Sequence, residues 1–151
     1  MAGLPCKLTA QLAFKAGGDV FHHLLANRPK HLSNVSPGKI QGCDLHQGEF
    51  GKNGSIIQWS YTLDGKQQIA KEMIQDINLE KKQISFKMVE GDLMELHKNM
   101  IITMHVETKG GVDFVTWTIE YELHSEENPH PLSFLNFLIE FTKDVETHIF
   151  G

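Results

Sequence analysis

The sequence predicts an α+β fold in which a curved antiparallel sheet of about seven strands grips one long C-terminal helix. Three observations carry this. Apolar and polar residues alternate along repeated runs of 6 to 11 residues, the mark of strands with one buried face. Turn-forming residues fall between those runs. Only the last segment keeps apolar spacings of three and four over several turns.

The elements follow in order. KLTAQLAF places Leu8, Ala10, Leu12 and Phe14 on one side. In GGDVFHHLLANRPKHLSNVSP, Val20, Phe21, Leu24 and Leu25 read as a short helix that Pro29 stops, with a second short helix around 30–35. SIIQWSYTL aligns Ile57, Trp59, Tyr61 and Leu63; QISFKM aligns Ile84, Phe86 and Met88; NMIITMHV aligns Met100, Ile102, Met104 and Val106. DFVTWTIEYEL is the clearest strand, with Val115, Trp117, Ile119, Tyr121 and Leu123 facing one way. KIQGCDLHQGEF and QQIAKEMIQDI complete the set, but their alternation does not settle which side faces inward. Asp64-Gly65 is a strong hairpin signal, and the polar stretches 78–82 and 109–111 supply two more turns. In the last segment Phe134, Phe137, Leu138, Phe141, Val145 and His148 form a stripe, with Pro131 in the first turn and Gly151 at the end. Leu135 and Ile139 lie outside it, so this helix is expected to touch the sheet and something else.

Composition narrows the function. A chain of 151 residues with 40% hydrophobic and 22% charged residues suits a single domain over 1–151. A net charge of -5, without clustered basic residues, argues against nucleic-acid binding. No apolar run is long enough to span a membrane, Pro5, Lys7, Thr9 and Gln11 interrupt any secretory core, and Ala2 stands where myristoylation needs glycine. Two cysteines, Cys6 and Cys43, fit a reducing compartment as small hydrophobes, so a cytoplasmic location is expected.

GEFGKNGS, residues 48–55, resembles a phosphate loop at first sight. Its lysine precedes Asn53-Gly54-Ser55 instead of following the last glycine, and a strand follows where phosphate binding needs a helix N-terminus. Asn53-Gly54 between alternating runs reads as a hairpin turn.

KIQGCDLHQGEFGKNGSIIQWSYTLDGK, with FKMVEGDLME and VTWTIEYE, closely resembles the major latex protein family of plants. That family belongs to the superfamily of the birch-pollen allergen and the class-ten pathogenesis-related proteins. The resemblance spans nearly the whole chain. It implies a helix-grip fold with two short helices closing one end, and a large internal cavity for apolar plant metabolites in defence or specialised metabolism. Gly48, Gly51 and Gly54 correspond to the superfamily's glycine-rich loop.

The inward-facing aromatic and methionine residues are simply core if the interior is solid. If the implied cavity exists, the ligand-binding set is expected among Phe21, Trp59, Tyr61, Phe86, Met88, Met100, Met104, Trp117, Tyr121, Phe137, Leu138 and Phe141. Replacing Phe137 or Phe141 by alanine is then expected to weaken binding as clearly as stability, and Val145→Ala to affect stability alone. The alternative is a cofactor-free cyclase, lyase or isomerase acting on a reactive terpenoid or alkaloid intermediate. It needs a water-excluding pocket and one acid or base, with Tyr61, Tyr121, His22 and His97 as candidates and Lys71 and Glu72 next.

His22-His23 reads most simply as a surface pair, although helix geometry allows one of the two to face inward. By the resemblance, His31 marks the cavity mouth. His105 falls on the outward side of its strand. His124, Glu126, Glu127 and His130 lie in one segment that reads as a flexible acidic loop, and no metal site is expected. Motifs of nucleophilic hydrolases and zinc enzymes are absent from the sequence, so neither a hydrolase nor a nuclease is expected. The expected partner is a small hydrophobic ligand, with the chain acting as a monomer or a weak dimer.

Overall fold

The computed structural model of the chain describes residues 4–15 and 17–150, the Phe150 side chain excepted. Ala2 and Gly151, named above, lie outside them. Strand β1 (Pro5–Phe14) leads into α1 (Gly18–Asn27), a 3-10 turn (Pro29–His31) and α2 (Leu32–Val35). Six strands follow: β2 (Ile40–Gln47), β3 (Ile56–Leu63), β4 (Lys66–Asn78), β5 (Gln83–Gly91), β6 (His97–Lys109) and β7 (Val112–Leu123). A 3-10 turn (Asp92–Glu95) joins β5 to β6, and α3 (Leu132–Phe150) ends the chain.

The seven strands form one antiparallel sheet in the order β1-β7-β6-β5-β4-β3-β2. Inner-face residues are buried in alternation along β3, β6 and β7, as their sequences predict. β4 and β2, ambiguous by pattern, turn Ala70, Glu72 and Ile74, and Ile40 and Cys43, inward. Register shifts interrupt the β2/β3, β4/β5 and β6/β7 ladders. Such irregularities bend a strand and increase its twist, which lets the sheet curl around a helix. One of them lies between Lys71 and Glu72, where β5 carries Val89 as an extra residue between Met88 and Glu90.

The glycine-rich stretch joins β2 to β3 as predicted, but as an eight-residue loop (48–55) and not a two-residue turn. The Ser55 hydroxyl donates to the Glu49 carbonyl (2.6 Å), and Gly54 N–H donates to the Ile74 carbonyl (2.7 Å). Gly51 has φ 83, and a Cβ there would run into the Asn27 side-chain oxygen at the end of α1. Lys52 pairs with Glu49 (3.1 Å) within the loop. The loop is an anchored connector.

Helix α3 lies on the concave face with Phe134, Phe137, Leu138, Phe141 and Val145 buried. His148, assigned above to the same stripe, is exposed; it closes the stripe at the surface, edge-on to His31 (ring centroids 5.7 Å). The C-terminal half of α3 carries polar ties. Asp144 accepts from the Ser36 hydroxyl (2.7 Å) and the Lys39 ammonium (2.9 Å), and Glu146 accepts from the Lys15 N–H (2.6 Å). At its centre the Trp117 indole N–H donates to the Thr142 hydroxyl (2.8 Å), which itself donates to the Leu138 carbonyl (2.7 Å). At the start of α1, the Thr108 hydroxyl and the Gly18 N–H hold the Asp113 carboxyl below its usual pKa range.

Among the described residues, no helix is long and apolar enough to cross a membrane. The fully buried Trp117–Thr142 contact makes a testable case. Thr142→Val should leave the indole N–H without an acceptor and cost ~1–3 kcal/mol in urea unfolding. Thr142→Ser, which keeps the hydroxyl, should lose clearly less.

Candidate functional site

Between α3 and the sheet lies an apolar cavity of about 60 Å3. Its wall is formed by Leu25 of α1, Ile40 of β2, Trp59 and Tyr61 of β3, and Ala70 and Glu72 of β4. Phe86, Ile102 and Trp117 of β5, β6 and β7 continue it, and Phe134, Phe137, Leu138 and Phe141 of α3 close it. Inner-face positions of six strands meet one helix face here, so the site is a consequence of strand alternation and helical spacing together.

The resemblance implies a large cavity; this one is small. It has room for a few water molecules, whereas pockets that enclose drug-sized ligands run from ~300 Å3 upward. Its own wall fills the space. Phe134 and Phe137 stack on each other (6.0 Å), and both rings meet Tyr61 (6.3 and 5.6 Å). Trp59 meets Phe86 edge-on (6.3 Å). Tyr61 also lines a second, polar groove with Gln41, Ser60, Gln67, Gln68, Ile69 and Asp92. Its hydroxyl donates to the Gln68 side-chain oxygen (3.1 Å) there. Tyr61 therefore separates cavity from groove.

Seven of the twelve expected ligand-facing residues are on the wall: Trp59, Tyr61, Phe86, Trp117, Phe137, Leu138 and Phe141. Phe21, Met88, Met100, Met104 and Tyr121 are buried but lie off it. Phe21 instead packs among Phe14, Trp117 and Phe141. Alternation identifies the inner face of a strand and not which stretch of it borders a void. Leu25, Ile40, Ala70, Glu72, Ile102 and Phe134 join the wall.

Of the four acid-base candidates, Tyr61 alone reaches the cavity. His22 is buried, against the surface-pair reading, because its Nε2–H donates to the Gln83 carbonyl (3.0 Å) while His23 is exposed. His97 directs both ring nitrogens at carbonyl oxygens, of Leu93 (3.0 Å) and Pro129 (2.9 Å). The Tyr121 hydroxyl is hydrogen-bonded to Nδ1 of His130. With Asn128 donating to the Leu96 carbonyl (3.1 Å) and His124 to that of Met94 (2.9 Å), these contacts pin the segment read above as a flexible loop. His31 lies beside Phe50 and Lys30 on a separate surface depression, and His105 faces outward near Glu107 (3.9 Å). No cluster able to hold a metal ion occurs among the described residues.

Glu72, ranked with Lys71 behind the four candidates in the sequence, is the carboxyl on the cavity wall. It occupies an inward position between Ala70 and Ile74, in a row with Ile57 and Met88. Full burial pushes its carboxyl up to about 8, only partly offset by a hydrogen bond from Trp59. Burial, and then the charge on Glu72, also raise Tyr61 and Cys43 above their ordinary ranges. Lys71, one residue earlier, points to the outer face toward Glu90 (3.9 Å).

Fold and cavity together define a helix-grip domain with an apolar interior site. The chain belongs to the pathogenesis-related protein Bet v 1 family, which matches residues 4–151. MLP-like protein 31 of Arabidopsis thaliana is 43% identical over 145 residues, covering 95% of this chain and 85% of that protein. The chain spans less than half the length of two other Arabidopsis relatives, MLP-like proteins 28 and 34. The crystal structure of ginseng major latex-like protein 151 from Panax ginseng matches with TM-score 0.93 and 49% identity, over 97% of this chain and 98% of that one. Norcoclaurine synthase of Thalictrum flavum, solved with dopamine and hydroxybenzaldehyde, shares the fold at TM-score 0.74 and 20% identity, over 96% of this chain and 88% of that one.

The buried carboxyl has a consequence for stability. The folded state holds the Glu72 proton between the ordinary carboxylate pKa of 4.5 and about 8, where the unfolded chain releases it. Its burial is therefore free of this penalty below about pH 4.5. The penalty grows as pH rises and levels off above about 8, at on the order of 3–5 kcal/mol. Glu72→Gln should match the wild type at pH 4 and exceed it by roughly 2–4 kcal/mol at pH 8 in urea unfolding.

Proposed function

We propose that the protein binds a small hydrophobic plant metabolite of the terpenoid, sterol, phenolic, lipid or hormone type between α3 and the sheet. The setting is defence or specialised metabolism in the cytosol. The observation that carries this reading is the cavity wall: apolar and aromatic apart from one carboxyl and one phenol, and built where six strands, α1 and α3 converge. Membership of a family with relatives named as latex proteins supports it. At about 60 Å3 the site must widen before such a ligand enters. Rotation of Phe134 and Phe137 with a shift of the N-terminal half of α3, which lacks the polar ties of the C-terminal half, supplies the room.

A second reading, a cofactor-independent cyclase, lyase or isomerase, is favoured by Glu72. A carboxyl near pH 8 in a water-poor site is matched to proton transfer at neutral pH. Under that reading Glu72 and Tyr61 carry the chemistry, because Tyr121, His22 and His97 lie off the cavity wall. Incubation with an unstable biosynthetic intermediate separates the two. A catalyst changes product stereochemistry relative to buffer, and a carrier does not.

Both tryptophans of the chain line the cavity, so binding has an intrinsic reporter. Titration with a panel of apolar fluorophores should quench tryptophan emission saturably, with one probe per chain. The small volume reverses the expectation for Phe137. Phe137→Ala should cost up to ~3–5 kcal/mol of stability yet speed association and admit bulkier probes. Val145→Ala, buried off the wall, should lower stability and leave binding unchanged. If neither the wild type nor Phe137→Ala binds any member of the panel, the void is a packing defect and the reading fails.

A further inference from the structure

We propose that Glu72 is the recognition group of the cavity, and that the ligand is a neutral apolar molecule with a ketone or hydroxyl oxygen placed to accept a hydrogen bond from it. This rests on the binding reading above and names the chemistry of the ligand's polar end.

Glu72 sits on the cavity wall among Trp59, Tyr61, Phe86, Phe134 and Phe137, on the inner face of β4. The titratable groups that face it are Tyr61 of β3 and Cys43 of β2, both acids held in their neutral forms. None of the wall residues contributed by α1, α3, β5, β6 or β7 carries a charge, and no lysine, arginine or histidine lines the cavity. An ionised carboxylate here would lack a counter-ion, and burying an unpaired charge is far more costly than giving up the proton. The acid form is the one this environment selects, in keeping with its raised pKa. A carboxylic acid differs from a carboxylate in one respect that matters here: it has an O–H to donate.

The Trp59 indole flanks the group and favours its charged form, too weakly to offset burial. What remains toward the void is a hydrogen-bond donor in an otherwise apolar wall. Tyr61, the other polar group present, already donates its hydroxyl to Gln68, its cross-strand neighbour on β4, so it does not compete for the ligand's oxygen. A site of this kind discriminates by hydrogen bonding. It favours an oxygenated skeleton over the matching hydrocarbon, because the hydrocarbon leaves the buried donor without a partner. An ammonium ligand would require Glu72 to ionise and would release a proton on binding.

The test uses three probes of one size and shape class, acetylnaphthalene, ethylnaphthalene and naphthylethylamine, with calorimetry on the wild type, Glu72→Gln and Glu72→Leu. The expected result is that the wild type at pH 7 prefers acetylnaphthalene to ethylnaphthalene by about tenfold, the size of one net hydrogen bond. Glu72→Gln, whose amide still donates, should keep the preference. Glu72→Leu should abolish it while binding ethylnaphthalene at least as tightly as the wild type. Wild-type affinity for acetylnaphthalene should fall as pH rises above about 8, and that of Glu72→Gln should stay level. Equal wild-type affinities for the ketone and the hydrocarbon, or a preference that survives in Glu72→Leu, would overturn the assignment. So would tightest binding of the amine with release of one proton, which would make Glu72 a counter-ion. Failure of all three probes on every variant would instead overturn the binding reading, and this inference with it.

Discussion

Burial of one face of α3 by a sheet too curved to pack flat is the constraint on which the rest of the molecule depends. A helix with five large apolar residues on that face cannot stand in water, and a seven-stranded sheet with one apolar face cannot stand alone. Curling the sheet solves both problems, and the register shifts in three of its ladders supply the bends. A cylinder lying in a trough leaves gaps that side chains must fill. Toward the C-terminal end they do, and Val145 is wholly enclosed. Nearer the N-terminal end, flat rings meet at angles and leave a void.

Much of this was legible in the residues. Strict alternation along DFVTWTIEYEL and SIIQWSYTL announces strands with one buried face, and the spacing of Phe134, Phe137, Leu138 and Phe141 announces the gripped helix. The site was legible only in part, because periodicity is a local property and a void is a global one. Met88, Met100 and Met104 obey the same alternation as Trp59 and Phe86, yet only the latter two border the cavity. His22 shows the same limit, since the carbonyl that draws it inward belongs to Gln83, 61 residues away. Glu72 ranked only behind the tyrosines and histidines for a different reason. QQIAKEMIQDI alternates imperfectly because one of its inward positions is charged, so the residue that blurred the strand's pattern was the one with chemistry to offer.

The interior combines two tendencies that pull against each other. Aromatic packing among Tyr61, Phe134 and Phe137 draws the walls together, each pair contributing ~0.5–1.5 kcal/mol beyond its buried area. A buried carboxyl resists perfect closure, because an acid group without a further partner gains nothing from being covered. An occupant that supplied both an apolar body and an oxygen would satisfy the two at once, and it would replace contacts the rings make with each other by contacts with itself.

The opposite outlooks of Lys71 and Glu72 carry a consequence for how such a domain diversifies. Neighbouring codons here address different worlds, one the outer surface where Lys71 meets Glu90, the other the apolar interior. Strand pairing is made by the backbone and is indifferent to either side chain. A lineage can therefore exchange the residue at 72 and alter what the interior selects while the surface at 71, and whatever recognises it, stays as it was.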